Sequence, residues 1–426
     1  MEILLSLSIA LLAGLLLSRL SKIWNLPAVT AYLVAGIIIG PYVLGRLGIS
    51  GIGFVSAEEV SRMSLVSDVA LGFIAFSMGS EFRLEELKKT GKKVTVIAIF
   101  QALVATVFVD AALVGMHFIF PENLPLSCAI TLGAIATATA PAATLMVVKQ
   151  YKADGPLTRT LLPVVALDDV VGLIIFAVSF GIAKALEHGT VDLVSVIVNP
   201  IIEVIASLLL GAAVGFVFNF TEQFFHSRSK RMSISVTYVF LAVALSKLDF
   251  HIGSVEIGFS PLLVCMMLGT VFCNLCDFQA ELMDRMDRWT APIMVLFFVI
   301  SGSGLEFSVF KDPVIILVGV VYIIFRSLGK IYGASVSAKA MKCEPQVQKY
   351  LGITLLPQAG VSLGMSLAAM SLGASGLIIR NVALFAVLVY ELVGPLLTRI
   401  ALEKAGEITE KPIPPRKQAQ LEAKSK

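Results

Sequence analysis

Apolar residues form long runs along the whole chain, separated by short segments that carry charges, glycine or proline. Runs of about 20 apolar residues without the alternation of a strand are typical of membrane-spanning helices. The pattern predicts thirteen spans, over residues 2–20, 26–45, 60–80, 94–117, 124–149, 157–184, 193–219, 231–248, 256–275, 289–304, 313–337, 347–371 and 377–400. We therefore expect an all-α polytopic membrane protein.

The composition agrees with this class and excludes others. Hydrophobic residues make up 57% and charged residues 15% of the 426 residues, whereas a soluble domain averages roughly 45–50% and about 25%. The net charge of +3 provides no basic surface for nucleic acid. The sequence contains no motif for a catalytic nucleophile, a phosphate loop or a metal cluster, so it indicates neither an enzyme nor a protein with a bound cofactor.

The distribution of basic residues predicts the orientation in the membrane. Of the 33 Lys and Arg residues, 25 fall in the odd-numbered loops or after the last span, six fall at the opposite ends of the spans, and two lie inside the eleventh span. Cytoplasmic loops carry the excess of Lys and Arg. We expect an N-terminus outside, a C-terminus in the cytoplasm and a location in the cell membrane. The polar segment 405–426 is predicted to be a disordered tail.

Two adjacent acids, Asp168 and Asp169, lie about half-way along the sixth apolar run. A charge near the bilayer centre costs at least roughly 2.5–3.5 kcal/mol, so a charge in this position usually marks a functional site. Adjacent helical residues diverge by about 100°, and one carboxylate can therefore meet a protein partner while the other faces water. A carboxylate at this depth can bind H⁺ or a cation in competition.

The eleventh span supplies the opposite charge. Arg326 and Lys330 are four residues apart and therefore share one helical face. From spacing alone, Lys330 is either a snorkelling residue near the membrane surface or a partner for an aspartate. Lysine is the better switch, because it can lose its proton on desolvation whereas arginine stays protonated. Glu391, another acid inside a span, is expected to be structural.

Spans five and twelve contain polar residues and proline at mid-length. The fifth includes Thr137, Thr139 and Pro141, and the twelfth includes Pro357 and Gln358. Proline frees backbone carbonyls, and such irregularity is tolerated at membrane depth only when it is buried or lines a cavity. Oxygen atoms of this kind suit Na⁺ or K⁺ as ligands. Spans seven apart run in opposite directions, so matching breaks predict an inverted repeat with two broken, crossing helices.

Five segments, in order, resemble the monovalent cation:proton antiporter 2 family, which includes NapA-like Na⁺/H⁺ antiporters and the membrane domains of KefC-like proteins. The segments are LPAVTAYLVAGIIIGPYVLG (26–45), SDVALGFIAFSMGSEF (67–82), LDDVVGLI (167–174), APIMVLFFVISGSGLEF (291–307) and ELVGPLL (391–397). One such motif would be a weak signal, but five in order are specific, and the similarity extends over most of the chain.

The resemblance implies a homodimer with a NapA-like fold. It assigns dimerisation-domain helices to 1–91 and 231–308, core ion-binding helices to 92–186 and 309–404, a linker helix to 187–230 and the tail to 405–426. By motif position, Asp169 resembles the carboxylate that binds ion and proton, and Lys330 resembles the charge partner of Asp168. The implied function is antiport of H⁺ against Na⁺, K⁺ or Li⁺, with elevator-like movement of the core domain.

Two other functions stay open at this point. A Na⁺-coupled solute symporter can share the same inverted-repeat fold. A gated K⁺ channel is less well supported, because the chain has no TVGYG-type filter and a charged pair occupies the middle of the membrane.

Overall fold

The computed structural model is almost entirely helical. It describes residues 2–21, 28–49, 52–80, 82–140, 144, 147–148, 151–187, 199–225, 227–248, 250–252, 255–276, 279–305 and 312–408. The α-helices in this part of the chain are α1 (Glu2–Ser21), α2 (Ala28–Ile39), α3 (Ala57–Ser61), α4 (Ser64–Ser80), α5 (Leu84–Ile119), α6 (Leu126–Ile135), α7 (Pro156–Glu187), α8 (Asn199–Glu222), α9 (Arg228–Leu245), α10 (Pro261–Leu275), α11 (Gln279–Ser303), α12 (Pro313–Ala340), α13 (Pro345–Thr354), α14 (Gly360–Ala368) and α15 (Ala374–Lys404). Short 3₁₀ helices occupy Leu44–Leu47 and Ala369–Leu372.

Several helices are long and apolar enough to cross a membrane. Among the described residues, six segments meet this criterion, namely Ala28–Leu47, Gly91–Ile119, Pro156–Glu187, Ile201–Glu222, Pro313–Ala340 and Ala374–Lys404. Six shorter apolar helices accompany them. The predominantly helical fold is therefore confirmed, and the long apolar helices support an integral membrane protein. The total of thirteen spans and the inverted repeat stay predictions.

The helices pack mainly in two groups. Helices α5, α6, α7 and α12 to α15 contact one another, and α1, α2, α4 and α8 to α11 form the second group, with α7 and α8 in contact between them. The predicted core domain would correspond to the first group, and the predicted dimerisation domain together with the predicted linker helix, α8, to the second. That functional division stays a prediction.

The predicted ninth span begins too early. Strands β1 (Phe250–Ile252) and β2 (Val255–Ile257) pair antiparallel with Phe250 opposite Ile257. Residues 256 and 257 are thus part of a hairpin, and α10 begins at Pro261, where proline is well tolerated because the first helical N–H has no intrahelical acceptor.

Part of the predicted disordered tail is packed. The Glu407 carboxylate accepts hydrogen bonds from the backbone N–H groups of Leu157 (2.6 Å) and Thr158 (2.9 Å) and from the Thr158 hydroxyl (2.7 Å). These N–H groups belong to the first turn of α7, where helices lack internal acceptors. The prediction of disorder is therefore wrong for residues 405–408, while 409–426 lie outside the described residues.

Helices α4 and α10 pack backbone to backbone through two glycines. A Cβ atom on Gly79 would overlap the carbonyl oxygen of Met266, and a Cβ atom on Gly269 would overlap that of Phe76. Close approach of this kind is the usual role of small residues between membrane helices.

We expect Gly79→Ala and Gly269→Ala each to lower the free energy of unfolding by about 1–3 kcal/mol, because the added methyl group forces the two backbones apart. The control is Gly115→Ala, since a Cβ at Gly115 on α5 has no neighbour within 4 Å. Thermal unfolding in detergent measures the effect, and equal melting temperatures for all three variants would contradict the backbone contact.

Candidate ion-binding site

Two interrupted helices meet in the core. Helix α6 ends at Ile135 and residues 138–140 are not helical, while α13 ends at Thr354 and residues 355–359 separate it from α14. The Ala140 N–H donates to the Pro357 carbonyl at 2.8 Å. Both interruptions expected in spans five and twelve are thus present and lie in contact.

Arg326 joins the two interruptions. Its Nε donates to the carbonyl oxygen of Ala136 (3.0 Å) and its two terminal nitrogens donate to those of Ala138 (2.6 Å) and Leu356 (2.8 Å). The guanidinium carbon also lies 4.4 Å from the centre of the Tyr390 ring, a cation–π contact. The side chain has no exposed surface, so the C-terminal ends of α6 and α13, which carry partial negative charge, share one permanent cation.

Asp168, on α7, is fully buried and contacts Lys330, which lies one helical turn from Arg326 on α12. The Lys330 ammonium nitrogen is 2.7 Å from Asp168 Oδ2, and neither side chain has exposed surface. The Thr139 hydroxyl donates to the same oxygen, and the Gln101 amide donates to Oδ1. Both carboxylate oxygens therefore have donors, which a buried charge requires.

Lys330 contacts the first interruption as well as Asp168. Its ammonium group donates to the Thr137 carbonyl and, at 3.0 Å, to the Thr139 hydroxyl. Because the side chain is fully buried in these contacts, the snorkelling alternative does not describe it. Lys330 and Arg326 thus lie on one face of α12, as their spacing indicates, with different partners.

Gln101, on α5, is a site residue that was not predicted from the sequence. Two signals were available: an amide side chain inside the apolar run 94–117, and the Gly-x-x-x-Gly pattern formed by Gly329 and Gly333 around Lys330. A Cβ on Gly333 would lie 2.9 Å from the Gln101 Cα, and one on Gly329 would lie 2.7 Å from the Ala105 Cα. The two glycines let α5 approach α12 closely, which brings Gln101 to Asp168.

The remaining predicted residues have different positions. The Gln358 amide nitrogen donates to the Ile135 carbonyl (3.0 Å) and is 2.9 Å from the Tyr322 hydroxyl. Glu391 is buried on α15, and neither carboxylate oxygen has a hydrogen-bond partner within the described part of the chain. The Asp169 backbone belongs to α7, but its side chain and the whole of Pro141 lie outside the described residues.

The family model described as "Sodium/hydrogen exchanger, transmembrane" matches residues 7–404. The chain belongs to this family. The match confirms the resemblance found in the motifs, and it places the protein among transporters rather than enzymes.

Curated relatives of this exchanger-family chain include antiporters named for two different cations. It is 22% identical over 445 residues to the high-affinity Na⁺/H⁺ antiporter NhaS3 of Synechocystis, covering 97% of this chain and 93% of the relative. It is 23% identical over 374 residues to the K⁺/H⁺ antiporter subunit KhtU of Bacillus subtilis, covering 86% of this chain and 85% of the relative.

The fold of this exchanger-family chain also matches a solved structure. The sodium proton antiporter MjNhaP1 from Methanocaldococcus jannaschii superimposes with a TM-score of 0.72 at 18% identity, covering 94% of this chain and 100% of that one. At this identity, the match shows a shared fold.

We expect Arg326→Met to lower the free energy of unfolding by roughly 3–5 kcal/mol, because the substitution leaves buried carbonyl oxygens at both interruptions without a donor. Arg159→Met is the matched control, since Arg159 is 75% exposed and its pair with Asp154 is a surface contact, typically worth about 0–1 kcal/mol. Chemical unfolding in detergent compares the stabilities of the two variants. Equal stabilities would contradict a stabilising role for the Arg326 bonds to both interruptions.

Proposed function

We propose that the protein is a secondary active antiporter that exchanges H⁺ for a monovalent cation, either Na⁺ or K⁺, with Li⁺ as a further candidate substrate. The observation that carries the proposal is the fully buried Asp168–Lys330 pair at the meeting point of two interrupted helices. A charge pair at this depth is expensive and usually functional. The family match and the names of the relatives support the same activity.

In the proposed cycle, Asp169 is the carboxylate that binds H⁺ and the cation in competition. It follows Asp168 directly on α7, and adjacent helical positions point in different directions. Asp169 would release its proton on one side of the membrane and bind the cation there. The arriving cation would then replace the Lys330 ammonium group as the counter-charge of Asp168.

Movement of the site across the membrane would follow the division of the helices into two groups. In this proposal the group with α5 to α7 and α12 to α15 moves as a core domain against the other group, in an elevator-like transition. The protein would act as a homodimer in the cell membrane, with its N-terminus outside and its C-terminus in the cytoplasm, as the distribution of Lys and Arg favours.

Replacement of the proposed binding carboxylate gives the most direct test. We expect Asp169→Asn to abolish cation-driven proton movement in proteoliposomes, because the amide can neither release a proton nor balance the cation. Asp154→Asn, at a carboxylate that is 72% exposed, should keep wild-type exchange. Full exchange by the Asp169→Asn protein would refute the mechanism, and cation-driven solute uptake without proton flux would identify a symporter.

The charge pair has a separate test. Lys330→Gln should lower the free energy of unfolding by roughly 3–5 kcal/mol, because Asp168 is left as an uncompensated buried charge. Combining it with Asp168→Asn should restore part of this loss, since no buried charge then remains in the pair. The control Lys247→Gln breaks a pair with Asp68 that is 52% and 36% exposed. Thermal unfolding of the wild type, the two single variants and the double variant measures the coupling, and strictly additive effects would argue against it.

A further inference from the structure

The Gln101 side chain uses only half of its hydrogen-bonding capacity. Its amide nitrogen donates to Asp168 Oδ1 and, at 3.0 Å, to the carbonyl oxygen of Ala98 in the preceding turn of α5. Its amide oxygen, Oε1, has no hydrogen-bond partner within the described residues, although the residue has no exposed surface. Buried carbonyl oxygens normally have a partner.

The orientation of the amide follows from its neighbours. Rotating it by 180° would direct Oε1 at two acceptors, the Ala98 carbonyl and the Asp168 carboxylate, and both contacts would be repulsive. The nitrogen must therefore face Asp168, and Oε1 is held beside the carboxylate without a donor of its own.

We propose that Gln101 is a ligand of the transported cation, bound through Oε1 while its nitrogen keeps Asp168 in place. The proposal rests on the cation exchange proposed above. Alkali cations prefer oxygen ligands, and an amide carbonyl adds one without adding a charge that a proton would have to balance. Gln101 would therefore determine affinity and selectivity, while the carboxylates provide the coupling to protons.

Several backbone carbonyl oxygens at the interruptions already accept hydrogen bonds from Arg326 or Lys330. Arg326 donates to the carbonyls of Ala136, Ala138 and Leu356, and Lys330 donates to that of Thr137. Departure of Lys330 would remove one of the two donors to Asp168 Oδ2, which would keep its bond from Thr139, while Oδ1 would stay with Gln101. In this conformation of Gln101, the amide nitrogen donates to Asp168 while Oε1 can accept the cation as a ligand.

Gln358 provides a useful comparison. Its Oε1 is also buried and without a partner in the described part of the chain. Its nitrogen, however, is bound to the Ile135 carbonyl and lies beside the Tyr322 hydroxyl, and no hydrogen bond connects it to Asp168 or Lys330. The direct bond to the buried acid therefore favours Gln101 as the ligand.

The test measures proton flux in proteoliposomes as a function of Na⁺, K⁺ and Li⁺ concentration for the wild type and Gln101→Met, which has a similar shape and no oxygen. We expect the half-saturating concentration to rise about tenfold, as the loss of one contact with a charge predicts, and to rise unequally for the three cations. Stabilisation of the detergent-solubilised protein by the same cations should fall in parallel. Gln348→Met, on α13 away from the interruptions, should leave both measurements unchanged.

Gln101→Asn is the second variant, in case Gln101→Met fails to fold, because it keeps the amide but withdraws it by one methylene group. It too should raise the half-saturating concentration. Unchanged affinities and cation stabilisation in the variant that folds would overturn the proposal, as would equal losses of maximal rate for all three cations with unchanged affinity ratios. A wild type without cation-driven proton flux would instead refute the proposed function.

Discussion

The meeting of two interrupted helices in a membrane is the constraint on which the site depends. Ending α6 and α13 inside the protein leaves carbonyl oxygens that lipid cannot satisfy. Arg326 satisfies three of them with one planar, permanently charged group, and its contacts reach both interruptions. An arginine suits this position because its charge persists on burial and its donors are fixed in direction. These bonds add to the direct contact between the interruptions, in which the Ala140 N–H donates to the Pro357 carbonyl.

Because the Arg326 guanidinium already binds both interruptions, the Lys330 ammonium group is available to be replaced by a transported cation. Lys330 lies one turn further along α12 and donates to Asp168 and to the first interruption. An ammonium group can lose its proton or be displaced by another cation, whereas a guanidinium in three backbone contacts cannot. The two basic residues of one helical face thus have separate tasks, which their spacing alone did not reveal.

The sequence predicted individual residues of the site better than the contacts between them. Asp168 and Lys330 were recognisable because each is a charge in an apolar run, and the interruptions because proline and polar residues occur together at mid-span. Gln101 was missed, since an uncharged polar residue in an apolar helix is often structural, and the same run also contains Thr106 and Asp110. Arg326 was predicted only to share a helical face with Lys330, because the carbonyl groups it binds belong to the backbone and have no signature in the sequence. The packing of Glu407 on the start of α7 was hidden for the same reason.

The sequence by itself predicted a membrane environment and a helical fold. It also identified the few charged and polar residues that lie inside apolar segments. These conclusions depend on the transfer cost of each side chain into lipid, a property of the residue and its near neighbours. Only the tertiary structure decided which of these residues contact one another. Contacts between Gln101 and Asp168, or between Arg326 and the ends of α6 and α13, join residues far apart in the chain. Such pairings depend on where helices cross and how they are rotated, and that is set by the packing of the whole fold, including the glycines that let α5 approach α12.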